Sequence, residues 1–338
     1  MNRREEDRIL LAHGGGGIMM KELVERIVKK LGGEAGRPLQ DSAVIEPGKG
    51  KIAFTTDSFV VQPIFFPGGD IGHLAVCGTV NDLAVSGAVP TAISLSFIIE
   101  EGFLFEDLDR ILDSIARTSV EAGVQVVTGD TKVVDRGKAD GLFINTSGIG
   151  LVQEDLSLSS SSAMPGDLVL INGTIGDHGL AILSLREGLD FGSELVSDTA
   201  PLSKIITPML RVTDGIRAMR DATRGGLAAV LNEIAVDSGV CIRVDEDSIP
   251  IREEVRKGCD LMGYEPMHIA NEGKFVMVIA KEHGEGALEF MRSHELGLDA
   301  SVIGEVIDAP AGNVILKTSF GGERVVDLPY GDILPRIC

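Results

Sequence analysis

Glu154-Asp155-Leu156-Ser157-Leu158-Ser159-Ser160-Ser161-Ser162-Ala163-Met164-Pro165-Gly166-Asp167 is the stretch on which the reading of the fold turns. Its serine run and the closing Pro-Gly-Asp carry neither a helical nor a strand period, as in a connection between domains. Directly after it, Leu168-Val169-Leu170-Ile171-Asn172 restarts as a short apolar run of the kind that forms a buried strand. The stretch is therefore read as a linker. It divides the chain into an N-terminal domain, 1–155, a C-terminal α/β domain, 156–325, and a tail, 326–338. A length of 338 residues agrees with that division, at roughly 150 residues per domain.

Outward from the linker, both halves mix helical and strand patterns. Upstream, Met20–Leu31 has apolar positions at helical spacing and stops at Gly32-Gly33. A second helix is predicted through Leu108, Ile111, Leu112 and Ile115, ending near Gly123. Strands are predicted at Ile52–Thr56, Ile93–Ile99, Val124–Val127 and Leu142–Gly150. Downstream, helices are predicted at Leu180–Arg186, Pro201–Val212 and Gly225–Val236, and strands at Phe275–Ala280 and Val302–Val306. The alternation is loose, so the fold class is α/β (α+β), with a parallel or a mixed sheet. The last stretch, Leu328–Cys338, holds two prolines and a glycine and reads as an extended tail.

Composition narrows the function. The chain is 44% hydrophobic and 24% charged, which is globular rather than disordered. A net charge of −20 repels phosphate backbones and anionic lipid surfaces, so neither nucleic acid nor membrane is an expected partner. The start, Met1–Asp7, leads into no long apolar run, and no secretory signal is expected. The four cysteines, Cys77, Cys241, Cys259 and Cys338, have no C-x-x-C spacing, so neither a zinc site nor a disulfide framework is expected. A cytoplasmic protein fits these features.

Several residues have the types and settings that chemistry needs. Asp41, Asp57, Asp82 and Asp130 each read as standing at a strand end or loop start. Mg²⁺ with nucleotide phosphates draws hard oxygen ligands from several loops. Asp57 and Asp130 each follow an apolar run and are expected to project from the same edge of a sheet. Each acid taken alone reads more readily as a solvated loop acid or a helix cap than as a ligand. Gly14, Gly15, Gly16 and Gly17 form a run whose N–H groups could close over phosphates, although it lacks the Lys and Ser/Thr of a P-loop. In Asp221-Ala222-Thr223-Arg224-Gly225-Gly226-Leu227, a helix N-terminus and an arginine together suit an anion. The alternative there is a capped helix with tight glycine packing. His178, in Asp177-His178-Gly179, reads on its own as a turn or capping histidine.

Cys338 is weighed most heavily. It ends a Pro-containing tail, and eleven extended residues reach roughly 35–40 Å. Such a tail could swing a thiol between two sites, whereas an incidental exposed cysteine is a liability. Cys77, Cys241 and Cys259 sit in apolar contexts and read as small core residues.

Taken together, these motifs resemble one family. Phe54-Thr55-Thr56-Asp57-Ser58, Phe66-Pro67-Gly68-Gly69-Asp70-Ile71-Gly72, Cys77-Gly78-Thr79-Val80-Asn81-Asp82-Leu83-Ala84, Thr128-Gly129-Asp130-Thr131-Lys132-Val133-Val134, Asp177-His178-Gly179, the Asp221–Leu227 motif and the ending Pro335-Arg336-Ile337-Cys338 resemble the hydrogenase maturation family HypE. That family falls in the wider aminoimidazole ribonucleotide synthetase-like superfamily, from whose other members the terminal Pro-Arg-Ile-Cys separates it.

The resemblance implies a two-domain aminoimidazole ribonucleotide synthetase-like fold with an N-terminal domain dimerising through its sheet and a flexible C-terminal tail. It implies ATP and Mg²⁺ as cofactors. A carbamoyltransferase, HypF, would load a carboxamide on Cys338. The ATP-dependent dehydration of that group would give a thiocyanate, whose cyano group passes to a HypC–HypD complex for the iron of [NiFe]-hydrogenase. The implied metal ligands are Asp41, Asp57, Asp82 and Asp130. The implied nucleotide contacts are Gly14–Gly17, Asp57, Asn81, Asp82, Asp130, Thr131, Asp177, His178, Thr223, Arg224, Gly225 and Gly226. Lys132 would offset charge on the transferred group, and Glu272, in Asn271-Glu272-Gly273, would be the base, although alone it reads equally as a turn residue. Ile333, Leu334 and Ile337 would dock the arm in an apolar groove. Two other readings remain at this point: a synthetase of the same superfamily acting on a free metabolite, and a non-enzymatic carrier presenting Cys338.

Overall fold

The structure, a computed structural model, describes residues 8–10, 18–32, 51–153, 156–189, 195–327 and 337–338. Gly14–Gly17, Asp41, Ile333 and Leu334 lie outside the described residues.

The first half begins with helix α1 (Ile18–Lys30), strand β1 (Ile52–Phe59) and a two-stranded ribbon of β2 (Phe65–Phe66) and β3 (Gly69–Asp70). Then come helix α2 (Ile71–Val85), β4 (Ala88–Glu100), α3 (Phe105–Ala122), β5 (Gln125–Val134) and β6 (Leu142–Val152). Four of the strands form a mixed sheet in the order β1-β6-β4-β5, with only β4 and β5 parallel. Helices α2 and α3 cover one face through Leu74, Val80, Leu108, Ile111 and Ile115, all buried. The other face is open: Phe54 is 70% exposed and Ile52 50%, with Ile98 and Val127 beside them on the outer rows.

Helix α2 joins the two halves. Asp70 caps it, accepting the N–H groups of Gly72 at 2.8 Å and His73 at 3.0 Å. Such a cap contributes about 1 kcal/mol. Nearly every side chain from Ile71 to Val85 is buried, because the helix lies between the four-stranded sheet and the second half of the molecule.

The second half carries β7 (Leu168–Ile171), α4 (Asp177–Glu187), α5 (Ser203–Met209), β8 (Ile216–Asp221), α6 (Gly226–Ser238), β9 (Cys241–Asp245) and α7 (Glu253–Met262). After these come β10 (Phe275–Ile279), α8 (Lys281–Arg292), β11 (Ser301–Ile307), β12 (Asn313–Lys317) and β13 (Glu323–Val325). They build a seven-stranded mixed sheet in the order β13-β12-β9-β11-β7-β10-β8. Strand β10 is buried at all five positions, as its unbroken apolar run requires. Helix α6 packs one face through Leu227, Leu231 and Ile234, and α5 and α8 pack the other through Ile205, Met209 and Met291.

The serine-rich stretch is tied down. The N–H of Ser159 donates to the Arg217 carbonyl, Ser160 donates to Asp237, and the Ala163 N–H donates to Ser238. None of Cys77, Cys241 and Cys259 is in a disulfide, and all three are buried. Among the described residues no helix is long and apolar enough to cross a membrane.

Candidate active site

A pocket of about 240 Å³ opens where β1, α2, the end of β8, the start of α6 and the loop before β10 converge. Its lining is mostly polar and includes Asp57, Asp82, Asp221, Glu272, Thr223, Arg224 and the terminal Cys338.

The acids crowd one another. Asp57 comes from the inward face of β1, and its Oδ1 accepts the Ser58 N–H at 2.7 Å. Asp82 comes from the last turns of α2 and accepts the Thr55 hydroxyl proton at 2.7 Å. Burial raises the proton affinity of both, and Asp82 raises that of Asp57 further, while Arg224 opposes the rise. Asp221, closing β8, is pushed up to about 7 by burial and by Asp82.

Glu272 is the most confined of these acids. It is 3% exposed, and its Oε1 has no hydrogen-bond partner among the described residues. Burial, together with the charges of Asp221, Asp198 and Asp57, raises its pKa well above the ordinary carboxylate range. Its backbone is clamped: its N–H donates to Asp198 Oδ1 at 3.1 Å, and its carbonyl accepts Asn81 Nδ2 at 3.1 Å. The next residue must be glycine. A Cβ at Gly273 would stand 1.8 Å from the Asp198 carbonyl oxygen. Asp198 also accepts the Gly273 N–H and pairs with Lys274 at 3.0 Å, with both side chains largely buried. Burial alone would raise the Asp198 pKa, but Lys274, His178 and the Glu272 N–H hold it below the ordinary value.

The tail enters the same place. Ile337 is 2% exposed within the apolar cluster that includes Val61 and Leu180. Its carbonyl accepts the His178 Nε2–H at 2.8 Å, and a main-chain carboxylate oxygen of Cys338 accepts the Val60 N–H at 3.0 Å.

Not every sequence-based expectation meets at this pocket. Asp57, Asp82, Thr223, Arg224, Glu272 and Cys338 are brought together. Asp130 and Lys132 are not. Asp57 lies inside β1 and Asp130 inside β5, the two opposite edges of the sheet, so the single-edge expectation is corrected. Asp130 and Lys132 stand on the outer face, paired with each other at 2.8 Å. The neighbouring Thr131 points the other way and is 5% exposed in the sheet's interior. Asn81 does not line the pocket either. Its amide donates to the Ala200 and Glu272 carbonyls, and its Oδ1 accepts the Leu202 N–H, so it is spent on backbone. Asp177 is buried, accepts the Thr174 hydroxyl proton and faces Arg252 at 3.4 Å. His178 is fully buried on the tail instead of facing a nucleotide.

The glycines of the 221–227 motif are structural at least in part. Gly226, at φ +61°, has no room for a Cβ, which would fall 2.5 Å from the Ile269 carbonyl. Its N–H is engaged by the Thr223 carbonyl at 2.9 Å. Gly225 caps the helix at φ +76°. Asp198, Ser197, Lys274 and Asp221 are the residues that motif reading misses. The signal for Asp221 is present, since it opens that motif, whereas Asp198 sits in Ser197-Asp198-Thr199-Ala200-Pro201, which resembles any turn.

The donor set bears on a divalent cation. Asp57 and Asp82 are hard oxygen donors whose mutual repulsion a cation would relieve. Among the described residues no three His, Cys, Asp or Glu side chains converge on one point. A Mg²⁺ ion that keeps water and phosphate oxygens needs only one or two carboxylates, so the residues fit it in that mode.

The two mixed sheets, with a polar pocket at their junction, define an AIR synthase related protein. The model of that family's N-terminal domain matches residues 39–152 and that of its C-terminal domain matches 164–317. Within that class, the chain is 50% identical over 333 residues to the carbamoyl dehydratase HypE of Rhizobium leguminosarum bv. viciae, covering 98% of this chain and 95% of that protein. The crystal structure of hydrogenase maturation protein HypE in complex with ATP superposes with a TM-score of 0.94 at 43% identity, covering 97% of this chain and 99% of that one. A crystal structure of a HypE–HypF complex superposes at 0.81 with 48% identity, covering 93% and 100%. The chain belongs to the carbamoyl dehydratase HypE family of hydrogenase maturation proteins.

Proposed function

We propose that this pocket dehydrates a carboxamide carried on the chain's own terminal thiol. The observation that carries the reading is the seating of Cys338 in one pocket with Glu272 and with Asp57 and Asp82. A site that acted on a free metabolite would gain nothing from holding its own C-terminus there.

The chemistry explains the residue types. A carboxamide oxygen leaves poorly as hydroxide, and transfer of the γ-phosphoryl group of ATP makes it a phosphate. The carbon–oxygen bond then breaks, the nitrogen gives up both protons, and a carbon–nitrogen triple bond remains on sulfur. The balance is S-carboxamide plus ATP to thiocyanate, ADP and phosphate. Phosphoryl transfer needs positioning and charge neutralisation more than covalent help. Arg224 and the helix start after Thr223 supply positive potential for phosphates. Glu272 is suited to take a nitrogen proton, because a carboxylate with raised proton affinity is a stronger base once ionised. Ile337 and its apolar surroundings exclude water from a phosphorylated group that water would hydrolyse. Mg²⁺, when bound, would sit on Asp57 and Asp82 and neutralise phosphate charge. Asp41 is a further candidate ligand outside the described residues.

Partners accord with the same reading. The HypE–HypF complex of a close relative supports a HypF-type carbamoyltransferase as the source of the carboxamide. A HypC–HypD complex is the proposed acceptor of the cyano group. The open outer face of the four-stranded sheet, with Phe54 and Ile52, supports a homodimer formed through that sheet. In such a dimer Asp130 and Lys132 would face the second subunit.

The test is intact mass spectrometry of the C-terminal peptide after loading with carbamoyl phosphate and the carbamoyltransferase, then addition of Mg-ATP. A Cys338 carboxamide adduct that loses one water only with ATP is expected. An adduct indifferent to ATP, or ATP turnover that survives Cys338→Ala, would favour a metabolite synthetase.

A further inference from the structure

The described tail residues are held by a hydrogen-bond chain that runs to the loop of Glu272. The Ile337 carbonyl can only accept, so the proton of the neutral His178 ring resides on Nε2, donated across 2.8 Å. Nδ1 then accepts from Ser197 Oγ at 2.7 Å. Ser197 Oγ in turn accepts the Thr199 hydroxyl proton at 2.6 Å and the Thr199 N–H at 3.1 Å. Burial of the whole ring favours its neutral form. The ring packs against Phe66 in a T-shaped arrangement with centroids 5.5 Å apart.

The residue after Ser197 holds the other side of the site. Asp198 accepts the N–H groups of Glu272 and Gly273. The strap from Ser197 to Ala200 is pinned from the first half of the molecule at three points. The Ser197 N–H donates to the Pro67 carbonyl at 2.8 Å, His73 Nε2 donates to the Thr199 carbonyl at 3.0 Å, and Asn81 donates to the Ala200 carbonyl at 3.1 Å. Two adjacent residues thus reach opposite reaction partners. Ser197 reaches the backbone one residue before the carrier thiol, and Asp198 reaches the backbone of the acid beside it.

We propose that His178, oriented by Ser197, is the latch that seats the docked C-terminal cysteine, and that the Ser197-Asp198 pair sets the register between Cys338 and Glu272. All three are positioning residues, because none is placed on the reacting atoms. The inference deepens the dehydratase reading and rests on it for its kinetic consequence, but the latch itself has a readout that does not depend on that reaction. Holding a nucleophile and a base in register is worth orders of magnitude in rate, and a displacement of about 1 Å costs roughly a hundredfold.

The experiment uses the full chain. Iodoacetamide labelling of Cys338 is read by peptide mass spectrometry in unloaded protein, and ATP-dependent water loss is read in single turnover after carboxamide loading. His178→Ala is expected to label Cys338 at least tenfold faster and to dehydrate at least tenfold more slowly, with ATP affinity within twofold of wild type. His178→Gln keeps an N–H for the Ile337 carbonyl and is expected to restore most of both. Asp198→Asn is expected to slow dehydration while leaving the labelling rate unchanged, because it disturbs the loop of Glu272 and not the tail. If His178→Ala does not fold, Ser197→Ala decides the matter, with labelling expected about threefold faster. Wild-type labelling in the His178→Ala or Ser197→Ala variant, equal acceleration by Asp198→Asn, or no rescue by His178→Gln would overturn the latch. If wild-type protein shows no ATP-dependent water loss, the dehydratase reading fails while the labelling arms still decide the latch.

Discussion

Removing the Asp198 carboxylate should cost this fold more than any exposed ion pair could, and should cost it through Lys274. The two charges stand 3.0 Å apart, with the Asp198 side chain 4% and the Lys274 side chain 12% exposed. At that separation and an effective dielectric of about 20 the attraction is roughly 5 kcal/mol, much of it offset by desolvation. Asp198→Ala leaves a largely buried ammonium and the N–H groups of Glu272 and Gly273 without their acceptor. Breaking one side of such a pair typically costs about 3–5 kcal/mol. A second change, Lys274→Met, removes the stranded charge, and the double variant should regain about 2 kcal/mol of that loss. Denaturant unfolding monitored by circular dichroism measures both quantities. The pH dependence adds a second check. Asp198 is held below its ordinary pKa in the folded chain. Its stabilisation is therefore full above the unfolded value of about 4 and is lost as pH falls through the folded value. The stability gap between wild type and Asp198→Ala should accordingly begin to close as pH falls below about 4 and continue to narrow through the lower folded value. A double variant no more stable than Asp198→Ala, or a stability gap that persists in acid, would refute the assignment of the cost to this ion pair.

Three further outcomes are expected. Glu272→Gln should bind ATP normally but dehydrate the loaded carboxamide about 10²–10⁴-fold more slowly in single turnover, the range of general-base catalysis; a wild-type rate would remove Glu272 as the base. Asp57→Asn should weaken Mg-ATP binding by calorimetric titration about tenfold, and an unchanged titration would take it out of the metal-binding set. On the proposed sheet-to-sheet dimer, Phe54→Glu, 70% exposed on the open face of the four-stranded sheet, should shift sedimentation from dimer to monomer; a wild-type chain that sediments as a monomer, or a variant that sediments as a dimeric wild type does, would refute that dimer.

What the sequence discloses depends on whether a segment has a wet side. Helix α3 alternates buried Leu108, Ile111 and Leu112 with charged residues and stops at Gly123 in the left-handed region, and its period and its end are both readable. Helix α2 escapes the sequence pattern altogether. It is buried on every side, so Ile71–Val85 has no amphipathic period to read, and its Gly72 and Gly78 argue against a helix until the packing is known. At Gly72 a Cβ would fall 2.7 Å from the Ile111 carbonyl, so the glycine is there for helix-to-helix approach. Asp57 and Asp130 read as strand-end acids because polar residues usually close a strand. Both lie mid-strand on the two edge strands, Asp130 on the exposed face, which tolerates charge, and Asp57 on the inward row, where it turns into the pocket. Short strands such as β9 and β12 carry too few residues to show alternation against the loops around them.

The candidate site divides along a similar line. Residues carried by compact motifs, such as Asp57, Asp82, Thr223 and Arg224, can be named from the sequence, but their meeting point cannot, because β1, α2 and β8 are joined only by the tertiary fold. The residues that set the geometry of the site are silent. Asp198 and Asn271 act largely through backbone groups, and Ser197 through a buried histidine: Asn271 alone accepts the Gly176 N–H at 2.7 Å and donates to the Ala222 carbonyl at 2.8 Å. Such bonds recognise no ligand and leave no motif, yet they determine where Glu272 stands. The histidine shows the consequence. In the sequence His178 reads as a turn residue or, by resemblance, a nucleotide contact, and in the fold it is a buried donor to the last peptide carbonyl of the chain. On the proposed dehydratase reading, Cys338 is loaded outside the pocket and reacts inside it, which calls for a grip that is specific but weak. The two hydrogen bonds to Ile337 and Cys338, at about 1 kcal/mol each, added to the burial of a single isoleucine at roughly 2–3 kcal/mol, supply a grip of that size.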